Sequence, residues 1–151
     1  MDPLVLIGSI LGVALIVGAN LLVGGWQPLE LATPAQAVDR LRQAYLDIEP
    51  TEVVLATDRR AALVADASSR AIGLLVVRGD SVVPRLLREG DVVSASIERD
   101  RRSAGSVVSI ALADFSLKQA MIRVDDTQTA QRWAARLDRL RPAGDATEQA
   151  S

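Results

Sequence analysis

The sequence predicts an α+β protein with a single N-terminal transmembrane helix, a short amphipathic helix and a seven-stranded antiparallel barrel or sandwich capped by a C-terminal helix. Three observations lead to this prediction. An uninterrupted apolar run occupies residues 4–24, short runs rich in β-branched residues follow from residue 52, and a helical apolar stripe containing Trp133 comes last. The predicted divisions are an anchor at 1–26, a linker with the amphipathic helix at 27–50, the sheet domain at 51–141 and a disordered tail at 142–151.

The apolar run carries no charged residue and has the length of a membrane span. Its roughly 21 residues, at about 1.5 Å per helical residue, cover about 30 Å of hydrocarbon. A cleaved signal peptide is the alternative, because Ala35-Gln36-Ala37 has the small-x-small form of a cleavage site. The lack of Lys and Arg before the run, and the distance of that site beyond it, favour an uncleaved anchor. Since Arg40 and Arg42 are the first basic residues after the run, we expect a single-pass protein of a bacterial inner membrane with its C-terminal domain in the cytoplasm.

Small and polar residues within the run predict a helix–helix contact. Gly8 and Gly12 form a G-x-x-x-G pattern with Ala19 on roughly the same face, and Ser9 and Asn20 share a second face. The alternative is a lipid-exposed face, since Gly and Ser are common in membrane helices. The expected partners are therefore the membrane, and either other membrane subunits or a second copy of the chain.

Composition excludes several classes of function. The chain contains no histidine and no cysteine, so Ser-His-Asp and Cys-His catalysis and the usual zinc sites are excluded. All 17 basic residues and all but one of the 19 acidic residues follow the apolar run, which leaves that part nearly neutral and argues against nucleic-acid binding. We expect no cofactor and no catalysis. A carboxylate-dependent enzyme acting on a lipid or envelope substrate is the chemical alternative that remains.

Two amphipathic helices flank the predicted strands. Thr33-Pro34-Ala35-Gln36 reads as a capping box with proline at the first helical position, and the first helix is predicted to end at Ile48 or Glu49. Asp125-Asp126 can cap the second helix, predicted from Thr127 to about Leu140. The apolar stripes are Val38, Leu41, Tyr45 and Ile48 in the first helix, and Ala130, Trp133, Leu137 and Leu140 in the second.

Turn residues separate the runs that we interpret as strands. Gly79-Asp80 predicts a two-residue hairpin, and Pro84 within a strand predicts an edge position or a bulge. The predicted strands are Glu52–Thr57, Ala61–Asp66, Ala71–Arg78, Ser81–Leu87, Asp91–Arg99, Ser106–Ala113 and Phe115–Val124.

Two short motifs in this arrangement resemble those of bacterial membrane-anchored domains of the pleckstrin-homology (PH) superfold. Residues 56–60 (ATDRR) are similar to the T-[DN]-x-R found early in such domains, and residues 130–137 (AQRWAARL) are similar to their closing A-x-x-W-x-x-x-L. The resemblance covers about Glu52 to Leu140. It implies a curved pair of sheets closed at one end by the C-terminal helix, and it implies that basic residues in the first hairpin turn contact anionic headgroups.

Basic residues in two turns are the candidate contacts for anionic lipid headgroups: Arg59 and Arg60 in the first hairpin turn, and Arg99, Arg101 and Arg102 in a later one. The alternative is simple solubility, because Asp58, Glu98 and Asp100 lie beside them. Arg132, Arg136 and Arg139 form a stripe on the last helix that we expect to face solvent.

The sequence therefore favours a non-catalytic, membrane-tethered interaction module that serves as an accessory or assembly component of a membrane protein complex. A PH-like module that binds anionic lipid is a further alternative.

Overall fold

The computed structural model describes residues 10, 12–16, 18–19, 29–68 and 70–143 of the chain. Within residues 29–143 the chain forms one helix, then seven strands, then a second helix. The elements are α1 (Pro34–Ala44), β1 (Pro50–Leu55), β2 (Ala61–Asp66), β3 (Ile72–Arg78), β4 (Ser81–Leu87), β5 (Val92–Arg99), β6 (Ser106–Leu112), β7 (Gln119–Val124) and α2 (Thr127–Asp138). Residues 10, 12–16 and 18–19 are also helical.

The expected transmembrane helix is wrong. None of the helices formed by the described residues has the length and apolar character needed to cross a membrane. α2, the longer of α1 and α2, has 12 residues, which at about 1.5 Å per residue cover about 18 Å against about 30 Å of hydrocarbon. The same finding contradicts the expected single-pass location in a bacterial inner membrane. Residues 4–9, 11, 17 and 20–24 of the predicted span lie outside the described residues.

The seven strands form two antiparallel sheets, each a simple meander. One sheet has the order β1-β2-β3-β4 and the other has the order β5-β6-β7. The predicted hairpin at Gly79-Asp80 is confirmed, because Arg78 pairs with Ser81 and Gly79 adopts φ +61°. The prediction for Pro84 is also confirmed: β4 is an edge strand, so the missing N–H of proline removes no bond from a central ladder.

The main core fills the space between the two sheets and beneath α2. Trp133 and Leu137 of α2 are almost fully buried there, together with Leu74, Ile110 and Ile122 of the sheets. α2 packs chiefly against β5 and β6. Its N-cap is Asp126, whose carboxylate accepts from the backbone N–H groups of Gln128 and Thr129, so the predicted cap is confirmed. The helix therefore closes the sandwich with a large aromatic side chain, Trp133. The strands contribute no aromatic side chain to this core.

A second core lies on the outer face of the four-stranded sheet, beneath α1. Leu41 of α1 packs there with Val64 of β2 and Leu75 of β3. Because both faces of the sheet are covered, β2 is buried at five consecutive positions instead of alternating. α1 ends at Ala44, earlier than predicted, and Ile48 enters this core from the loop that follows.

Gly73 in β3 is where α1 approaches the sheet most closely. A Cβ atom at this position would overlap the side chain of Leu41. Since Leu41 is fully buried and has little room to move, we expect Gly73→Ala to lower the free energy of unfolding by about 1 to 3 kcal/mol, the usual cost of overpacking. Urea denaturation of the full-length chain measures this loss.

A double-mutant cycle with Leu41→Ala supplies the control. The truncated side chain leaves space for the added methyl group, so the double variant is expected to be more stable than the sum of the two single losses implies, by at least about 1 kcal/mol. Strict additivity would mean that α1 does not rest on Gly73.

Candidate functional site

The first hairpin turn holds Arg59 in a constrained, structural position. Arg59 has φ +56°, an uncommon backbone conformation for a residue other than glycine. Its carbonyl oxygen accepts from the N–H of Leu31 at 2.8 Å, and its Nη1 donates to the carbonyl oxygen of Ala32 at 2.8 Å. The guanidinium predicted to contact an anionic surface thus ties the segment before α1 to the sheet.

Arg123 of β7 brings the two arginine-bearing turns together. Its Nη1 lies 3.6 Å from a carboxylate oxygen of Asp58 in the β1–β2 turn, and its Nε lies 3.8 Å from a carboxylate oxygen of Asp100 in the β5–β6 turn. The N–H of Thr57 donates to the carbonyl oxygen of Arg123 at 2.8 Å. The two turns, which are distant in sequence, therefore share one end of the domain.

We call this end the arginine end and define it by Arg59, Arg60, Arg99, Arg101, Arg102 and Arg123. The arginine side chains of the two turns are exposed. The backbone N–H of Arg102 and then the hydroxyl of Ser103 donate to Asp100, and these bonds hold the pKa of that carboxyl below its usual range. Six arginines stand against Asp58, Glu98, Asp100 and Asp125, so the end carries an excess of positive charge.

Sequence reasoning identified five of these arginines and missed Arg123. The available signal was weak: a cation at an outward position of a predicted strand, between the buried Ile122 and Val124. Only the packing of β7 beside the first hairpin turn gives Arg123 its bridging role, because the two aspartates that it joins are 42 positions apart in the chain.

A second polar region is a crevice between α2 and the ends of β1, β2 and β3, which we call the helix crevice. Its volume is about 340 Å³, and its lining includes Thr51, Asp66, Ile72, Arg132, Arg136 and Arg139. The expectation that the arginines of α2 simply face solvent is wrong for Arg136, whose side chain is 31% exposed. Its guanidinium lies 5.0 Å from the ring centroid of Trp133 and pairs with Glu52 at 2.8 Å.

A larger cavity of about 660 Å³ lies beside the loop that follows α1. Tyr45, the exposed Leu46 and Leu86 line it together with Asp66 and Arg88. Burial acts to raise the pKa of Asp66, but the hydrogen bonds from Ser68 and from the backbone of Glu49 outweigh it and hold the pKa below its usual range. Charges of both signs line this cavity, which gives it no clear preference for a ligand.

The aspartates with displaced pKa values serve turns and caps. The Ser116 backbone N–H and hydroxyl lower the pKa of Asp114, and the Thr129 hydroxyl with the Gln128 and Thr129 N–H groups lowers that of Asp126. A general acid at neutral pH needs a pKa displaced upward. Among the residues that the structure describes, no group of three or more acidic, His or Cys side chains could hold a metal ion.

The residues predicted to form a helix–helix contact are described only in part. Gly8, Ser9 and Asn20 lie outside the described residues. Gly12 and Ala19 are helical and exposed, and a Cβ atom at Gly12 would meet nothing within 4 Å. The structure therefore places no packing partner at the described positions of this face.

Comparison with known proteins returns no match. No protein-family model matches the chain, and neither a curated protein nor a solved structure matches it. The resemblance to PH-like domains thus rests on the two motifs at residues 56–60 and 130–137, and it stays a prediction.

Proposed function

We propose that this protein is a non-catalytic, PH-like interaction module that uses its arginine end to bind an acidic surface of a partner protein, as an accessory or assembly component of a complex. The observation that carries the proposal is the convergence of the two arginine-bearing turns on Arg123. Hydrogen bonds within the two short turns fix the backbone that carries these arginines before binding, which lowers the conformational entropy lost in a complex. Arginine is also enriched at protein interfaces.

The interior of the domain supports a binding role over a catalytic one. The space between the sheets is filled by apolar side chains, and Ser106 is the one buried polar residue among those described. Its hydroxyl lies 3.0 Å from that of Thr127, so it has a partner. The displaced pKa values described above are all lowered, which suits ionised aspartates in turns and argues against the carboxylate-dependent enzyme.

The two sheets and α2 support the PH-like part of the proposal. A four-stranded and a three-stranded antiparallel meander are closed by a helix that carries a buried Trp133. That arrangement agrees with what the two motifs imply. The helix α1, which covers the outer face of the first sheet, is an addition to the arrangement that the two motifs imply.

Charge reversal at the arginine end tests the proposal. We expect the double variant Arg60→Glu and Arg101→Glu to lose a specific partner that the unaltered full-length chain captures by cross-linking in the cells that naturally produce it. With the partner purified, the dissociation constant is expected to rise about tenfold or more, mainly through slower association. Binding to the unaltered chain should also weaken as salt concentration rises.

The matched control is Arg40→Glu and Arg42→Glu, an equal change of charge on exposed positions of α1. It should retain the partner. If both double variants bind the partner equally well, the arginine end is not the interface. If the chain instead sediments with anionic vesicles through the same arginines and captures no protein, the protein-partner proposal fails in favour of lipid binding.

A further inference from the structure

The arginines that line the helix crevice outnumber the carboxylates that pair with them. Arg132 and Arg136 share one carboxylate, Glu52, at 3.4 Å and 2.8 Å. Arg139 has no carboxylate within 4.0 Å among the described residues. Asp66, the acidic residue that lines the crevice, accepts from the N–H groups of Glu49 and Ser68 and from the Ser68 hydroxyl. Within the described part of the chain it pairs with no cation.

One donor of Arg136 is buried without a partner. Its Nη1 makes no hydrogen bond within the described part of the chain, although Nη2 of the same guanidinium is paired with Glu52. Leaving a buried charged donor unpaired costs free energy, and most such groups in folded proteins find a partner. Because this donor has no exposed surface, an anion in the crevice would not bond to it directly; it would compensate the charge of Arg139 and add to the charge pairing of the Arg136 guanidinium.

The geometry of the three arginines suits an oxyanion. They recur at i, i+4 and i+7 on α2, so they lie along one face of the helix. Glu52 and the ring of Trp133 hold the guanidinium of Arg136 in place. Planar guanidinium groups donate paired hydrogen bonds to phosphate or carboxylate oxygens. Thr51 contributes less, because its hydroxyl already donates to the carbonyl oxygen of Ala65 at 3.3 Å.

The size and the opposite wall of the crevice indicate what surrounds the anionic group. A volume of about 340 Å³ lies at the lower end of the range for small-molecule sites, about 300 to 1,000 Å³. Ala65, Ala71 and Ile72 supply an apolar wall facing the arginines across the crevice. This combination fits a small molecule with one phosphate group and a short, weakly polar remainder.

We propose that the helix crevice is a binding site for a small phosphomonoester, with Arg132, Arg136 and Arg139 as the phosphate donors. The site is separate from the arginine end. Thr51 and Glu52 lie at the start of β1, whereas Arg59 and Arg60 lie in the turn that follows the strand. Binding in the crevice therefore goes beyond the proposed partner interaction, and either proposal can fail without the other.

Isothermal titration calorimetry of the full-length chain tests this proposal, with inorganic phosphate, glycerol 3-phosphate and acetate as probes at constant ionic strength. We expect saturable binding of one or both phosphate probes. Arg139→Gln, and separately Arg132→Gln, should raise the dissociation constant about tenfold to a hundredfold, since one charge-assisted hydrogen bond contributes about 1.5 to 3 kcal/mol. Arg40→Gln removes an equal charge from α1 and should leave binding unchanged.

Each outcome of the titration either supports or overturns the proposed phosphomonoester site. Tighter binding of glycerol 3-phosphate than of phosphate supports a phosphomonoester that also contacts the apolar wall. Equal binding supports the phosphate group as the recognised element. No saturation by either phosphate probe up to about 10 mM, well above the KM values of about 1 μM to 1 mM that are typical of enzyme substrates, would overturn the proposal. Tighter binding of acetate, or equal binding by all three variants, would overturn it as well.

Discussion

Trp133→Ala is expected to lower the free energy of unfolding by about 3 to 5 kcal/mol, a large part of the stability of a small domain. Trp133 is 1% exposed and lies in the core that the two sheets form with α2. Its removal would leave a cavity where α2 meets the strands, because sheets fixed by their own hydrogen bonds can collapse only partly. Urea denaturation followed by circular dichroism measures the loss, and limited proteolysis should show a largely unfolded chain.

Phe115→Ala is the matched control for this prediction. It also replaces an aromatic residue by alanine, but Phe115 is 95% exposed, so the change should alter stability by less than about 0.5 kcal/mol. Trp133→Phe should be tolerated better than Trp133→Ala, since it keeps an aromatic ring and removes an indole N–H that is buried without a partner among the described residues. Similar small losses for Trp133→Ala and Phe115→Ala would mean that α2 does not close the sandwich.

Gly105→Val is expected to lower the free energy of unfolding by about 3 kcal/mol, at the upper end of the cost of overpacking. Gly105 is buried at the end of the β5–β6 turn, and a Cβ atom there would overlap the carbonyl oxygen of Val124. That oxygen belongs to the backbone of β7 and cannot rotate away as a side chain would. The strand itself must therefore move, which also disturbs the neighbouring Thr57 and Arg123 contacts of the arginine end. Thermal and urea denaturation measure the loss.

Ala104→Val tests whether the effect comes from this close approach. The residue precedes Gly105 in the same turn but is exposed, so a larger side chain meets solvent. Its stability should stay within about 0.5 kcal/mol of the unaltered chain. If Gly105→Val were equally mild, β7 would not pack against this turn, and the convergence of the two arginine-bearing turns would lose its structural basis.

Most of the strands could be predicted because their signals are local. β-branched runs, separated by turn residues such as Gly79-Asp80, place six of the seven strands within two residues of their observed ends. The exception is β7, which was predicted to begin at Phe115. Instead, Asp114 accepts hydrogen bonds from the N–H and hydroxyl of Ser116, which forms a turn and leaves Phe115 exposed. An apolar residue in a β-rich run favours a strand, but it does not show that a neighbouring side chain forms a turn there instead.

The transmembrane prediction failed for a different reason. Apolar character and length are necessary for a membrane span, and residues 4–24 meet both criteria as a string of letters. A span also requires one continuous helix, and none of the described residues belongs to a helix of that length and apolarity.

The candidate sites depended on contacts that no local pattern contains. The arginines in the turns were visible in the sequence. Only the observed contacts show that Arg59 ties down the segment before α1, which distinguishes it from the other turn arginines. Arg136 was predicted to face solvent because helical periodicity places it beside Arg132. In the structure, Glu52 and Trp133 hold it at the edge of the core.

The sequence alone was enough to predict the element types, the positions of most strands, the caps at Thr33 and Asp126 and the exclusion of His and Cys chemistry. The element types, strand positions and caps depend on backbone propensity and on hydrogen bonds between residues a few positions apart. The excluded chemistry depends only on which residue types the chain contains. Three features became visible only in the folded protein: α1 covers the first sheet, Arg123 joins two turns and three arginines of α2 line a crevice. Those features arise from contacts between residues far apart in the chain, and their free energies depend on distances that exist only once the sheets and helices have packed.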